Sequence, residues 1–397
     1  MRRICRVAAA ASLAVAGWFG VSASLGRAVA RNDVESAHRL APSDAQITGR
    51  LAQSLFSEEA GKRDLIGARD LARGALRRNG TVIAAVTTLG LSAEVAGDRV
   101  RARRLFAYSE RLSRRDLTTQ IWALEDAVGH GDIGGALRHY DIALRTSPES
   151  ADLLFPVLAA ASGDTAVRSA LVRTLAGDPP WAAPFVSYLA ENGKDPIVNA
   201  TVLQRLGLAG FSVPATARVA VVTALTRAGY ADQAWSFYAS GRPGLDRRRS
   251  RDPLFTGDTI SPSPLDWTPV ESPGISTSIQ HGDRGGVFEF SAPASVGGAL
   301  LRQLQLLPPG KYRLSGHGVG IDQPDGERPY WSVTCHDGRE LGRVELPVSN
   351  RSARTFDGTF AIPRGCGIQM LQLIARPVSA MTGLSGQIGR VQLEPTQ

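Results

Sequence analysis

The chain has 397 residues, 43% of them hydrophobic, which supplies apolar mass for more than one core and excludes a largely disordered polymer. Its formal net charge is +8, and lysine contributes only Lys62, Lys194 and Lys311 to that balance. The arginines stand among acids (Arg69 beside Asp70, Arg101, Arg103 and Arg104 after Asp98, and Arg247, Arg248, Arg249 and Arg251 between Asp246 and Asp252). They read as solvated faces, and no nucleic-acid partner is expected.

Residues 1–31 carry an address. Arg2, Arg3 and Arg6 precede an uncharged run from Val7 to Gly26, and Ala28-Val29-Ala30 has the small-x-small form of a cleavage site. The run is also long enough to cross a bilayer as a helix, with Arg27 and Arg31 at its far end. The segment is therefore expected to be a signal peptide or an N-terminal transmembrane anchor. Both place residues 32–397 in the cell envelope, either anchored in the inner membrane and facing the periplasm or periplasmic after cleavage near Ala30. In that oxidising compartment Cys335 and Cys366 are expected to form a disulfide, whereas Cys5 lies within the address.

From residue 32 to 240 the chain reads as helical repeats. Gly97-Asp98 and Gly131-Asp132 are 34 residues apart, and Ala102 with Ala136 and Phe106 with Tyr140 keep that spacing. A later unit has Gly229, Ala234 and Tyr238. Glycine and aspartate open a turn, alanine lets two helices approach, and the aromatic fills the gap between neighbouring units. With Leu89-Gly90 before the first turn and Pro148 after the second unit, residues 83–150 resemble tetratricopeptide repeats. That resemblance implies a stacked all-α solenoid that binds proteins. The groove of such a scaffold would be lined by Thr87, Leu91, Glu94, Ile121 and Glu125. The prolines from Pro179 to Pro214 break the 34-residue frame.

Residues 241–262 lack periodicity and are rich in glycine, proline and arginine, so a linker is expected. From 263 to 397 the period changes to two. Phe288-Glu289-Phe290, Leu304-Gln305-Leu306, Tyr312-Arg313-Leu314, Trp331 to Cys335, Phe356 to Ile362, Ile368 to Ile374 and Ile388 to Leu393 predict seven or eight short strands in a β-sandwich or jelly roll. Trp267, the Phe288/Phe290 strand and Gln303 to Leu307 running into Pro309-Gly310-Lys311-Tyr312 resemble carbohydrate-binding, galactose-binding-like jelly-roll modules. The fold class is thus multidomain, with a helical solenoid followed by an all-β jelly-roll sandwich.

No catalytic constellation stands out. The six histidines include no His-Glu-x-x-His, no serine sits in a Gly-x-Ser-x-Gly turn, and Gly316-His317-Gly318-Val319-Gly320 is not followed by a Lys-Ser/Thr helix. Asp322, Asp325, Glu327, Asp337 and Glu340 read as turn acids, of the kind that can also hold calcium. No metal and no cofactor is assigned. The glycan-binding candidates are aromatic: Tyr330, which alternation turns outward opposite Trp331, Val333 and Cys335, and Trp267, either a rim platform or a lid on the core. The expected function is a non-enzymatic, periplasm-facing scaffold for envelope or exopolysaccharide assembly, with a protein partner on the helices and polysaccharide on the sandwich. The alternatives are a purely protein–protein adaptor and a polysaccharide lyase or hydrolase.

Overall fold

The structure, a computed structural model, describes residues 24–56, 62–257, 260–282, 285–379 and 381–396. Most of the apolar run from Val7 to Gly26 lies outside them, as does Cys5. Among the described residues no helix is long and apolar enough to cross a membrane. The chain divides into two compact units, Met1–Leu154 and Phe155–Gln397.

The first unit contains α1 (Val34–Leu40), α2 (Ala45–Ser54), α3 (Lys62–Arg78), α4 (Ile83–Val95), α5 (Arg99–Leu112), α6 (Leu117–Gly129) and α7 (Ile133–Thr146). Aspartate starts most of them: Asp33, Asp44, Asp98, Asp116 and Asp132 each accept a hydrogen bond from a first-turn backbone N–H, which would otherwise lack a partner. The expected repeat turns fall between α4 and α5 and between α6 and α7. Gly97 and Gly131 there adopt φ of +76° and +70°, a left-handed backbone that residues with a side chain adopt at a cost. Ala102 and Ala136 are buried. Phe106 stacks on Trp122 of the next hairpin with ring centroids 4.4 Å apart, so the aromatic of one unit is covered by its neighbour. A Cβ on Gly90 would meet the Phe106 ring at 2.7 Å, which explains the glycine there.

The second unit takes in α9 (Thr165–Ala176), α10 (Ala182–Asn192), α11 (Pro196–Leu208), α12 (Ala215–Arg227) and α13 (Ala231–Ala239) with all of the β-structure. The chain enters it within α8 (Ala151–Ala161). The prolines that interrupt the repeat frame punctuate these helices: Pro196 is the first residue of α11 and Pro214 the N-cap of α12.

Among the described residues ten strands form two five-stranded antiparallel sheets. One has the order β1 (Thr268–Pro269), β4 (Gly298–Gln305), β9 (Gln369–Ala375), β6 (Tyr330–Cys335), β7 (Glu340–Glu345). The other has the order β2 (Ser276–Gly282), β3 (Gly285–Ala292), β10 (Leu384–Pro395), β5 (Gly310–Val319), β8 (Arg354–Ile362). Their inner faces enclose one core that includes Trp267, Phe288, Phe290, Leu314, Trp331, Phe356 and Leu371. Cys335, at the end of β6, is bonded to Cys366, which follows β8 and precedes β9, so the expected disulfide ties the crossover between sheets to the sheet it enters.

Three expectations are corrected here. The compact division falls after Leu154 rather than across 241–262, and α13 and the β-structure are fastened together: the Tyr238 hydroxyl donates to Asp266, and Arg247 pairs with Asp232 on α13 while donating to the Leu306 carbonyl. The segment 241–262 is not a loose linker. Phe255 is fully buried in the sandwich core, and the Ser250 hydroxyl accepts from the Gln392 side-chain amide and the Leu393 backbone N–H of β10. Arg251 is not a solvated arginine either. It is 5% exposed, donates to the carbonyls of Leu265 and Leu304, and burial pushes its guanidinium down to about 10.

Candidate functional site

The outer face of the β1-β4-β9-β6-β7 sheet gathers the side chains best suited to meet a ligand. Alternation turns Trp331, Val333, Leu371, Leu373, Leu301 and Gln303 into the core, so their neighbours point outward. Register then aligns them across strands: Arg343 opposite Ser332, Ser332 opposite Gln372, Gln372 opposite Arg302, and Arg302 opposite Thr268. The result is one row of guanidinium, hydroxyl, amide, guanidinium and hydroxyl running perpendicular to the strands, with one side chain about every 4.8 Å. Arg343 and Arg302 are exposed, Gln372 and Thr268 half-buried, and Ser332 buried at the middle. Beside this row Leu304 and Met370 form an apolar strip, also half-buried.

Tyr330 lies on this face as expected, half-buried and opposite Glu345 and Ile374. It is not a bare platform. The guanidinium carbons of Arg376 and Arg343 stand 4.5 and 4.8 Å from its ring centroid, within cation–π range. Arg376 also donates to Glu345 at 2.7 Å, and Arg328 to the other carboxylate oxygen at 2.9 Å. Burial works against ionisation of Glu345, but the hydrogen bonds and charges of these two arginines outweigh it and hold the carboxyl below its ordinary range. The Tyr330 end is a fixed, internally neutralised clamp.

Trp267 is placed otherwise. It is 3% exposed, packs against Phe255 and Trp331, and donates its indole N–H to the Asp252 carbonyl at 2.8 Å. It is a core lid and not a surface platform, because the segment 241–262 covers it. The outer face of the other sheet is polar too, with Ser276, Ser278, Glu289, Ser385 and Gln387 around a shallow cleft of about 490 Å³. Among the described residues lining that cleft the one aromatic is Phe290, whose ring belongs to the core.

The turn acids are engaged locally. Glu327 accepts from the Ser379 amide and hydroxyl, Asp325 pairs with Arg328, Asp337 with Arg339, and Glu340 with Arg343; Asp322 accepts from Gln323. Among the described residues no group of three or more His, Cys, Asp or Glu side chains is placed to hold a metal ion.

In the helical unit the five groove candidates do not form one open surface. Thr87 is fully buried, its hydroxyl donating to the Ile83 and Ala84 carbonyls, and Leu91 packs against the cluster of Ala93, Ala102 and Phe106. Glu94 is occupied by Arg99 and by the Trp122 indole N–H at 3.2 Å. Ile121 is half-buried and only Glu125 is exposed. A cleft of about 320 Å³ lies among α5, α6 and α7 and includes Arg103, Trp122, Asp126, His130 and Arg138. Arg103 grips both oxygens of Asp126 at 2.9–3.1 Å, which holds that carboxyl below its ordinary range.

No known family profile matches the chain, and no curated protein matches it. Solved structures do show partial similarity, and carbohydrate-binding modules recur among them. A CBM4 structure is 14% identical, covers 38% of this chain and 100% of its own length, and gives a TM-score of 0.27. The CBM22-1 xylan-binding domain from Paenibacillus barcinonensis Xyn10C is 10% identical, covers 36% of this chain and 94% of that one, and gives 0.25. The enzymatically active domain of Bacteriophage CBA120 tailspike protein 4 is 13% identical over 32% of this chain, with a TM-score of 0.25; the chain spans 18% of that protein's length.

Proposed function

We propose that this protein is an exported, non-enzymatic scaffold that holds glycan on the outer face of the β1-β4-β9-β6-β7 sheet and protein partners on its helical repeats, in envelope or exopolysaccharide assembly. The observation that carries the glycan reading is the cross-strand row Arg343, Ser332, Gln372, Arg302, Thr268 beside the apolar strip of Leu304 and Met370. Sugar rings have hydroxyl rims and C–H faces. A ribbon of them laid along the row would meet the hydrogen-bonding side chains of β7, β9, β4 and β1, with Ser332 buried between the first two, and an apolar flank alongside. Export is supported by the Cys335–Cys366 disulfide, a bond characteristic of oxidising compartments, together with the arginine-led apolar run at the start of the sequence. The tetratricopeptide reading is supported by the glycine turns, the buried alanines and the Phe106–Trp122 stack between successive hairpins. Affinity electrophoresis of the full chain in gels carrying neutral and acidic polysaccharides tests the glycan reading. Retardation by at least one of them, weakened by Gln372→Ala, is expected; unaltered mobility in all of them would refute it.

A further inference from the structure

At one end of the same face a cleft of about 370 Å³ opens between the sheet and α12. Arg302 of β4 and Arg227 at the end of α12 both line it and both are exposed. Neither makes an ion pair or a hydrogen bond among the described residues, unlike the arginines of the Tyr330 clamp. His336 adds an exposed imidazole to the lining, and Leu304 and Met370 give it apolar walls. None of the described residues that line this cleft is acidic. Two uncompensated guanidiniums facing one cleft leave a local positive field and ten N–H donors without a protein acceptor. A planar carboxylate matches a guanidinium in geometry and charge, and it accepts two parallel hydrogen bonds from it.

We propose that this cleft binds the carboxylate of an acidic polysaccharide, a chain containing uronic acid units. The inference rests on the glycan reading of the sheet face and gives it a substrate class. Arg302 belongs both to the cross-strand row and to the cleft, so a polysaccharide lying along the row delivers its acidic group to the Arg227–Arg302 pair. The apolar walls of Leu304 and Met370 stand where the C–H face of the same sugar ring would rest. The continuity of row and cleft favours an extended polymer over a membrane surface, which would need the arginines to protrude beyond their surroundings.

Titration calorimetry of the full chain with a galacturonate hexamer and with a neutral hexasaccharide, cellohexaose, tests this. The hexamer should bind at least about ten-fold more tightly, and its affinity should fall as salt rises. Arg302→Gln and Arg227→Gln should each weaken hexamer binding roughly ten-fold and erase the preference for acid. Arg313→Gln, which removes an exposed partner of Asp357 on the other sheet, should leave both affinities unchanged and controls for net charge. Melting temperatures of all three variants near that of the parent keep the comparison interpretable, since each side chain is exposed. Equal binding of acidic and neutral hexamers, or wild-type hexamer affinity in both cleft variants, would overturn the inference while leaving the glycan reading in place. Tighter binding to phosphatidylglycerol vesicles than to the hexamer, lost in the same variants, would assign the cleft to lipid and equally overturn it. Binding of neither sugar would defeat this inference, and with no retardation by any polysaccharide in the gels the glycan reading would fall too.

Discussion

Replacing Phe255 by alanine separates a packed segment from a linker. Its ring is fully buried, with Trp267 and Phe288 centroids 5.5 and 6.4 Å away. The backbone around it approaches β3 so closely that Gly286 donates its N–H to the Leu254 carbonyl at 2.7 Å, and a Cβ on Gly286 would collide with the Phe255 carbonyl. Phe255 also holds φ at +54°, a left-handed conformation that costs a residue with a side chain about 1–2 kcal/mol and persists here because the ring is anchored. Alanine keeps that cost and gives up the packing. Losing the transfer energy of a buried aromatic, about 1.5–3 kcal/mol, and leaving a cavity brings the expected destabilisation to roughly 3–5 kcal/mol. For a unit of this size, calorimetry of the full chain should show its transition lowered by roughly 6–20 °C. Leu254→Ala, one residue away but 40% exposed, should shift stability by no more than about 1 kcal/mol. If Phe255→Ala and Leu254→Ala melted alike, the segment would be the linker that its composition suggests.

Three further tests follow from the structure. Thiol alkylation of denatured protein should label neither Cys335 nor Cys366 until reductant is added, and Cys335→Ser should destabilise the second unit by about 3–4 kcal/mol through loss of a 31-residue closure; labelling of both without reductant would contradict the disulfide. Ala102→Leu should cost the first unit roughly 1–3 kcal/mol by overpacking, while Gly74→Ala in α3, where an added Cβ meets nothing, should stabilise it by about 0.5–1 kcal/mol; chemical denaturation showing the same sign for both would refute the packing. Because Arg103 depresses the Asp126 carboxyl below its ordinary 3.8, that pair contributes stability above pH 3.8 that is lost as pH falls through the lower folded value. Asp126→Asn should therefore flatten the acid limb of a stability–pH profile for the first unit, and an unchanged limb would show that the pair does not act.

Much of this architecture is legible in the sequence where one physical rule dominates. The 34-residue spacing of Gly97-Asp98 and Gly131-Asp132 marks two hairpins, because turn chemistry and helix contact both need those residue types. Seven of the strands announce themselves by apolar alternation. The three that do not, β1, β2 and β7, lie at sheet edges, where one side faces no neighbouring strand and polar side chains such as those of Ser276 to Gly282 prevail. The segment 241–262 misleads for a different reason: its fit depends on Phe255 and Arg251 meeting strands that lie far along the chain, and no local period records that. The candidate face has the same character. Alternation predicts that Tyr330 points outward, but the row from Arg343 to Thr268 exists only through register among five strands. Trp267 was unreadable because only the covering segment decides whether it is lid or platform. Thr87 and Glu94 fail as groove residues because one hydroxyl closes on its own helix and the other side chain is held by Arg99 and Trp122.

Hydrogen–deuterium exchange of the full chain with and without the polysaccharide that retards it most tests the central claim directly. Binding across the cross-strand row should slow exchange in β4, β6, β7 and β9 and leave β2, β3 and β10 unchanged. Protection confined to the other sheet, or to the helices of the first unit, would contradict the assignment of the glycan to this face.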